Sequence, residues 1–87
     1  MTKRISQKIL KYTAIFEPAE EGGYVVSIPA LPGCATQGET FEEAAQMIKD
    51  AMGGYLAVLK KEGLDIPKET EDVVVTKVSV LEPTISI

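Results

Sequence analysis

The side chains that could carry chemistry in this 87-residue chain are thirteen carboxylates, one thiol at Cys34 and a scatter of hydroxyls, with no histidine anywhere. Histidine is the commonest general base and a frequent transition-metal ligand, so its absence removes the usual means of activating a serine, threonine or cysteine. Cys34 follows Pro32-Gly33. A thiol there would need a lysine or a helix N-terminus to become a thiolate, and a small buried strand residue is the better reading. Metal-assisted phosphodiester hydrolysis would require several carboxylates converging on divalent cations. Asp50 stands beside Lys49, Asp65 follows a helix stop at Gly63, Asp72 precedes a valine run, and Glu17 closes the first strand pattern. No two of these have a spacing that argues for a shared metal. Thr36, Thr40 and Ser27 have structural duties, and Tyr24 and Tyr55 lack the basic groove of a nucleic-acid stacking platform. The expectation is a protein with no catalytic, cofactor or metal site, and not an enzyme.

Charge is distributed unevenly. The net charge is −4, yet Lys3, Arg4, Lys8 and Lys11 all precede the first acid, so the rest carries five basic against thirteen acidic groups, a balance of −8. An acidic body disfavours direct phosphate binding and suits a basic protein partner, although acidity also simply maintains solubility. One cysteine excludes an intrachain disulfide and fits a reducing compartment. The early lysines interrupt any signal-peptide pattern, and nothing approaches the ~20 apolar residues of a membrane span. A cytoplasmic location with no membrane contact is expected.

The elements that would position these side chains are organised around GGYVVSIPALPGCATQGETFEEAA, residues 22–45. Leu10, Tyr12, Ala14 and Phe16 alternate along a first strand from Ile9 or Leu10 to Glu17, stopped by Pro18. Ala19 to Gly23 is a polar hairpin loop, and Tyr24 to Ile28 is a second, β-branched strand whose buried face the pattern leaves open. Pro32-Gly33 suits the centre of a type II turn, after which Cys34 to Gln37 allows a third short strand. Thr40 and Glu43 have capping-box spacing. Phe41, Ala44, Ala45, Ile48, Met52, Tyr55, Leu56 and Leu59 then form one apolar stripe of a long helix, with acids at its start, Lys60-Lys61 at its end and Gly63 as its stop. Gly53-Gly54 inside it reads as a close approach by another backbone, with a bend as the alternative. Pro67 lies in a connection, residues 73–80 alternate as a fourth strand, and residues 82–87 form a tail. Residues 1–8 read as a loose basic arm. The whole is one domain, 1–87. So small a domain buries only about 60% of its unfolded surface, which makes a homodimer or homotetramer a cheap source of stability.

The string PALPGC-x-TQG-x-T-x-EEA, set behind a Gly-rich acidic turn and opening an amphipathic helix, resembles the HicB-type antitoxin domain of toxin–antitoxin pairs over roughly Tyr12 to Val80. The resemblance implies an α+β, partial RNase H-like βββαβ fold with strand order 3-2-1-4 and one long helix on one face, without nuclease activity. It also implies a partner, a small basic HicA-type mRNA endonuclease whose active site the domain would mask. Family members carry a further C-terminal DNA-binding segment; only seven residues follow Val80, so direct operator binding by this chain alone is not expected. The contact surface expected from exposed turn and charge is Pro32, Gly33, Glu39, Glu42 and Glu43. The competing reading is an orphan homo-oligomeric binding module with no toxin partner.

Overall fold

The computed structural model describes residues 8–69 and 74–86. Three strands, β1 (Ile15–Pro18), β2 (Tyr24–Ser27) and β3 (Ala35–Gly38), form an antiparallel sheet in the order β1-β2-β3, and α1 (Phe41–Lys61) follows. The class is α+β, with helix packed on sheet. Registers pairing Phe16 with Val26 and Val26 with Thr36 place these three on one face, because residues directly opposite in an antiparallel pair share a side. That face meets the helix. Val26, Ile28, Leu31, Cys34, Ala44 and Ile48 are the buried core, with Tyr12, Ala14, Phe16, Tyr24, Ala51, Met52, Tyr55 and Leu56 packed around it. The ambiguity over β2 is thereby resolved: Val26 and Ile28 face inwards, while Val25 is 40% exposed on the open side.

The helix ends follow the side-chain chemistry. The Thr40 hydroxyl accepts the Glu43 N–H at 3.0 Å, satisfying one of the donors that a helix start leaves without a partner. At the other end the Gly63 N–H donates to the Lys60 carbonyl and the Leu64 N–H to that of Leu59, the paired bonds of a Schellman closure. Gly53 and Gly54 have nothing within 4 Å of the position a Cβ would take, so the close backbone approach expected there is not made among the described residues.

Two strand expectations are corrected. The first strand begins at Ile15 rather than at residue 9 or 10, and it includes Pro18. Its partner sets the limit: Ile15 lies opposite Ser27, after which the Ile28 carbonyl accepts from the Leu31 N–H and the chain turns away, leaving residues 9–14 without a ladder. Residues 74–80 form no strand; Val74, Val78 and Val80 are 80–88% exposed, because an extended segment becomes a strand only against another strand's edge. Val73, the arm at residues 1–7 and Ile87 lie outside the described residues.

Candidate functional site

Two fused turns hold Pro32 and Gly33, two of the expected contact residues. In the first, the Cys34 N–H donates to the Leu31 carbonyl at 2.9 Å across Pro32-Gly33, and Gly33 sits at φ 83°, the left-handed position that a type II turn demands. A second turn is fused to it by the Leu31 N–H to Ile28 carbonyl bond, and the Ile28 N–H reaches the Cys34 carbonyl at 3.1 Å. These bonds drive Leu31 and Cys34 inwards while Pro32 and Gly33 remain exposed. From the helix, the Tyr55 hydroxyl donates to the Pro32 carbonyl at 3.0 Å and pins the turn to the helical layer.

Glu39, Glu42 and Glu43 lie at the opposite end of α1. Tyr55 is fourteen positions beyond Phe41, so at 1.5 Å per residue the Pro-Gly turn is anchored about 20 Å along the axis from the helix start. The five residues thus form two exposed places, not one. At the helix start, Glu39 and Glu43 share a cavity of about 430 Å³ with Glu21, Gly22 and Gly23 of the hairpin loop, Tyr24, Gln37 and Gly38. Glu42, exposed in the first helical turn, stands outside that lining.

Two glycines create this convergence. A Cβ on Gly23, whose φ is +77°, would fall 2.3 Å from the Gly38 carbonyl oxygen. A Cβ on Gly38 would fall 2.4 Å from the Ala44 amide nitrogen, so the hairpin, the end of β3 and the first turn of α1 meet backbone to backbone. Below them, Phe16 packs on Phe41 with ring centroids 4.5 Å apart, and Tyr24 meets Phe41 edge-on at 6.1 Å. The acidic group therefore sits on a well-supported corner. Glu21 was missed as a member, because its inclusion follows from the register that pairs Tyr24 with Gly38 and so carries the hairpin loop to Glu39.

Cys34 is buried and its thiol is pushed above the ordinary value by that burial, which makes it a poor nucleophile. Among the described residues, no group of three or more His, Cys, Asp or Glu side chains could hold a metal ion. Among them, too, no helix is long and apolar enough to cross a membrane. What the corner offers is a shaped, negatively charged surface.

Sequence comparison supplies the kinship of this surface. A family profile described as "HicB_like antitoxin of bacterial toxin-antitoxin system" matches residues 12–79. The UPF0150 protein Ta0767 of Thermoplasma acidophilum is 48% identical over 63 residues, covering 72% of this chain and 91% of that protein. The UPF0150 protein ssr1765 of Synechocystis is 41% identical over 75 residues, covering 86% of this chain and 92% of its own length. Antitoxin HicB of Escherichia coli K12 is 46% identical over 43 residues, 49% of this chain but only 31% of that longer protein. The chain belongs to the HicB-like antitoxin family of bacterial toxin–antitoxin systems.

Proposed function

We propose that this protein is an antitoxin that binds a small basic HicA-type ribonuclease and inhibits it by covering its active site, with no catalysis of its own. The observation that carries this reading is the family match across residues 12–79, which embraces the sheet, the helix and the acidic corner together. The corner supports it physically. Glu21, Glu39 and Glu43 around one cavity, with Glu42 beside them, offer a negative potential to a positively charged partner in the cytoplasm. Such complementarity raises encounter rates and fixes orientation, and RNA, itself an anion, would be displaced rather than bound. Pro32 and Gly33 form a second, uncharged contact at the other end of the helix. The RNase H-like order 3-2-1-4 would require residues 74–80, which form no strand among the described residues, to take the outer place beside β1.

The test is reconstitution with the ribonuclease encoded beside this protein's own reading frame. Stoichiometric addition should suppress cleavage of a labelled RNA, and a Glu21→Lys, Glu39→Lys, Glu43→Lys triple variant should need at least about tenfold more protein, a loss of 1.4 kcal/mol. Undiminished cleavage at excess antitoxin rejects the inhibitory role. Full inhibition by the triple variant would instead move the contact away from the acidic corner.

A further inference from the structure

The core uses one side of α1, through Ala44 and Ile48 with Met52, Tyr55 and Leu56 beside them. A second side carries its own pattern. At about 3.6 residues per turn, Glu43, Met47, Gly54, Val58 and Lys61 fall within an arc of about 60°, with half-buried Ala51 on the flank nearest the core. Met47 is 45% exposed and Val58 53%, so two large apolar side chains about 17 Å apart along the axis face solvent. Glu43 and Lys61 frame them, and both are exposed. Within α1 neither has an opposite charge three or four places away, so neither charge is used by the helix's own ion pairing.

The stripe is its own complement when reversed. Half-way between Glu43 and Lys61 lies position 52, and half-way between Met47 and Val58 lies the bond from 52 to 53. A single two-fold reversal therefore sets acid against base at both ends and, to within one residue, Met47 against Val58 on either side of the middle. The short side chains of Ala51 and the bare backbone of Gly54 leave room there for the larger ones to interdigitate at the usual 8–10 Å between helix axes, an about two-turn contact on each side of the centre. Asp50, on the outer flank, accepts a hydrogen bond from the Gln46 amide at 3.1 Å and would come level with Gly54 of the other helix rather than with an acid.

We propose that this stripe is the contact between two copies of the chain, α1 of one lying antiparallel on α1 of the other. Charge selects both the occupant and its direction. A uniformly basic surface would suit Glu43 and be repelled by Lys61, and an acidic one would do the reverse; a second copy satisfies both ends at once. Parallel pairing would set like charges together at each end, so the antiparallel arrangement is the one that closes as a two-fold dimer. Met47 and Val58 leave water on pairing and supply the apolar centre, with the charged pairs at the rim. The dimer concerns the protein's own assembly and is independent of whether a toxin is bound.

The experiment uses the full chain alone. Sedimentation equilibrium at about 0.1 mM should give twice the 9.4 kDa chain mass. Lys61→Glu, which sets acid against acid, should raise the dissociation constant at least about tenfold, and the exchanged pair Glu43→Lys with Lys61→Glu should recover most of that loss. Both positions are exposed, so helical circular dichroism should be unchanged in either variant. Met47→Cys and Val58→Cys, combined in a Cys34→Ala chain, should oxidise to 47–58 disulfides between chains, a link that about 17 Å of intervening helix forbids within one chain. A natural chain of 9.4 kDa, no recovery in the exchanged pair, or 47–47 and 58–58 links in place of 47–58 would each overturn the dimer; the charge exchange decides alone should the cysteine chain fail to fold. Because no ribonuclease is present, these results are read separately from inhibition.

Discussion

Gly38 shows how much one missing methyl group determines. Its Cβ would stand 2.4 Å from the Ala44 nitrogen and 2.7 Å from the Ala44 Cα, both backbone atoms that no rotamer change can move aside. Gly38→Ala should therefore destabilise the fold by about 1–3 kcal/mol, the usual cost of overpacking, and lower Tm by roughly 4–8 °C per kcal/mol; an unchanged melting curve would mean that the helix start is not seated on β3. Cys34 makes a second case. Burial raises its thiol pKa from 9.0, so near and above that pH the unfolded chain releases a proton that the folded chain retains. Stability should be indifferent to this group in neutral solution and fall as pH rises through the window between the unfolded and folded values. Reaction with a thiol reagent at neutral pH should be at least about tenfold slower than for the denatured protein, and equal rates would place the thiol at the surface.

At the scale of elements, α1 was the most legible part of the sequence, and the structure explains why. Its signals are local: Thr40 caps it, Lys60 and Lys61 close it, and its apolar stripe repeats over five turns. Thr40→Ala should cost about 1 kcal/mol, measured by urea denaturation, since only the Glu43 N–H loses its partner. The glycine pair gives the opposite sign. With open space at both positions, Gly53→Ala and Gly54→Ala should each stabilise by up to about 1 kcal/mol through helix propensity; a loss would reveal a backbone packed there in the assembled protein. Strand limits were harder to read because they depend on a partner distant in sequence. The alternation from Leu10 to Phe16 looks uniform, yet only Ile15 onwards is paired, since β2 ends opposite it. The valine-rich run after Asp72 has the same period as a buried strand, and nothing local announces that residues 74–80 pair with no strand among the described residues. The site divided along the same line. Exposure of Pro32, Gly33 and the three glutamates was readable from turn chemistry and charge, whereas their separation and the inclusion of Glu21 required the register of the sheet.

For the whole molecule, the question is how a domain with six buried residues among those described presents a firm surface to a partner. The answer lies in where the rigidity is concentrated: the fused turns from Ile28 to Cys34 support one end of the helix, and the Gly23–Gly38–Ala44 contact supports the other. Between them the helix acts as a strut whose acidic end carries charge that folding does not consume, since Glu39, Glu42 and Glu43 are all exposed. That arrangement makes an electrostatic contribution separable from a packing contribution. If the acidic corner meets a basic ribonuclease, raising salt from about 0.05 to 0.5 M should slow association by at least about tenfold and change dissociation far less, because screening acts on encounter over a Debye length of about 10 Å at 0.1 M. Stopped-flow binding of the natural chain and of the Glu21→Lys, Glu39→Lys, Glu43→Lys variant tests this directly. The variant should start slow and lose most of the salt dependence, whereas parallel salt slopes for the two proteins would assign the charge complementarity to some other face.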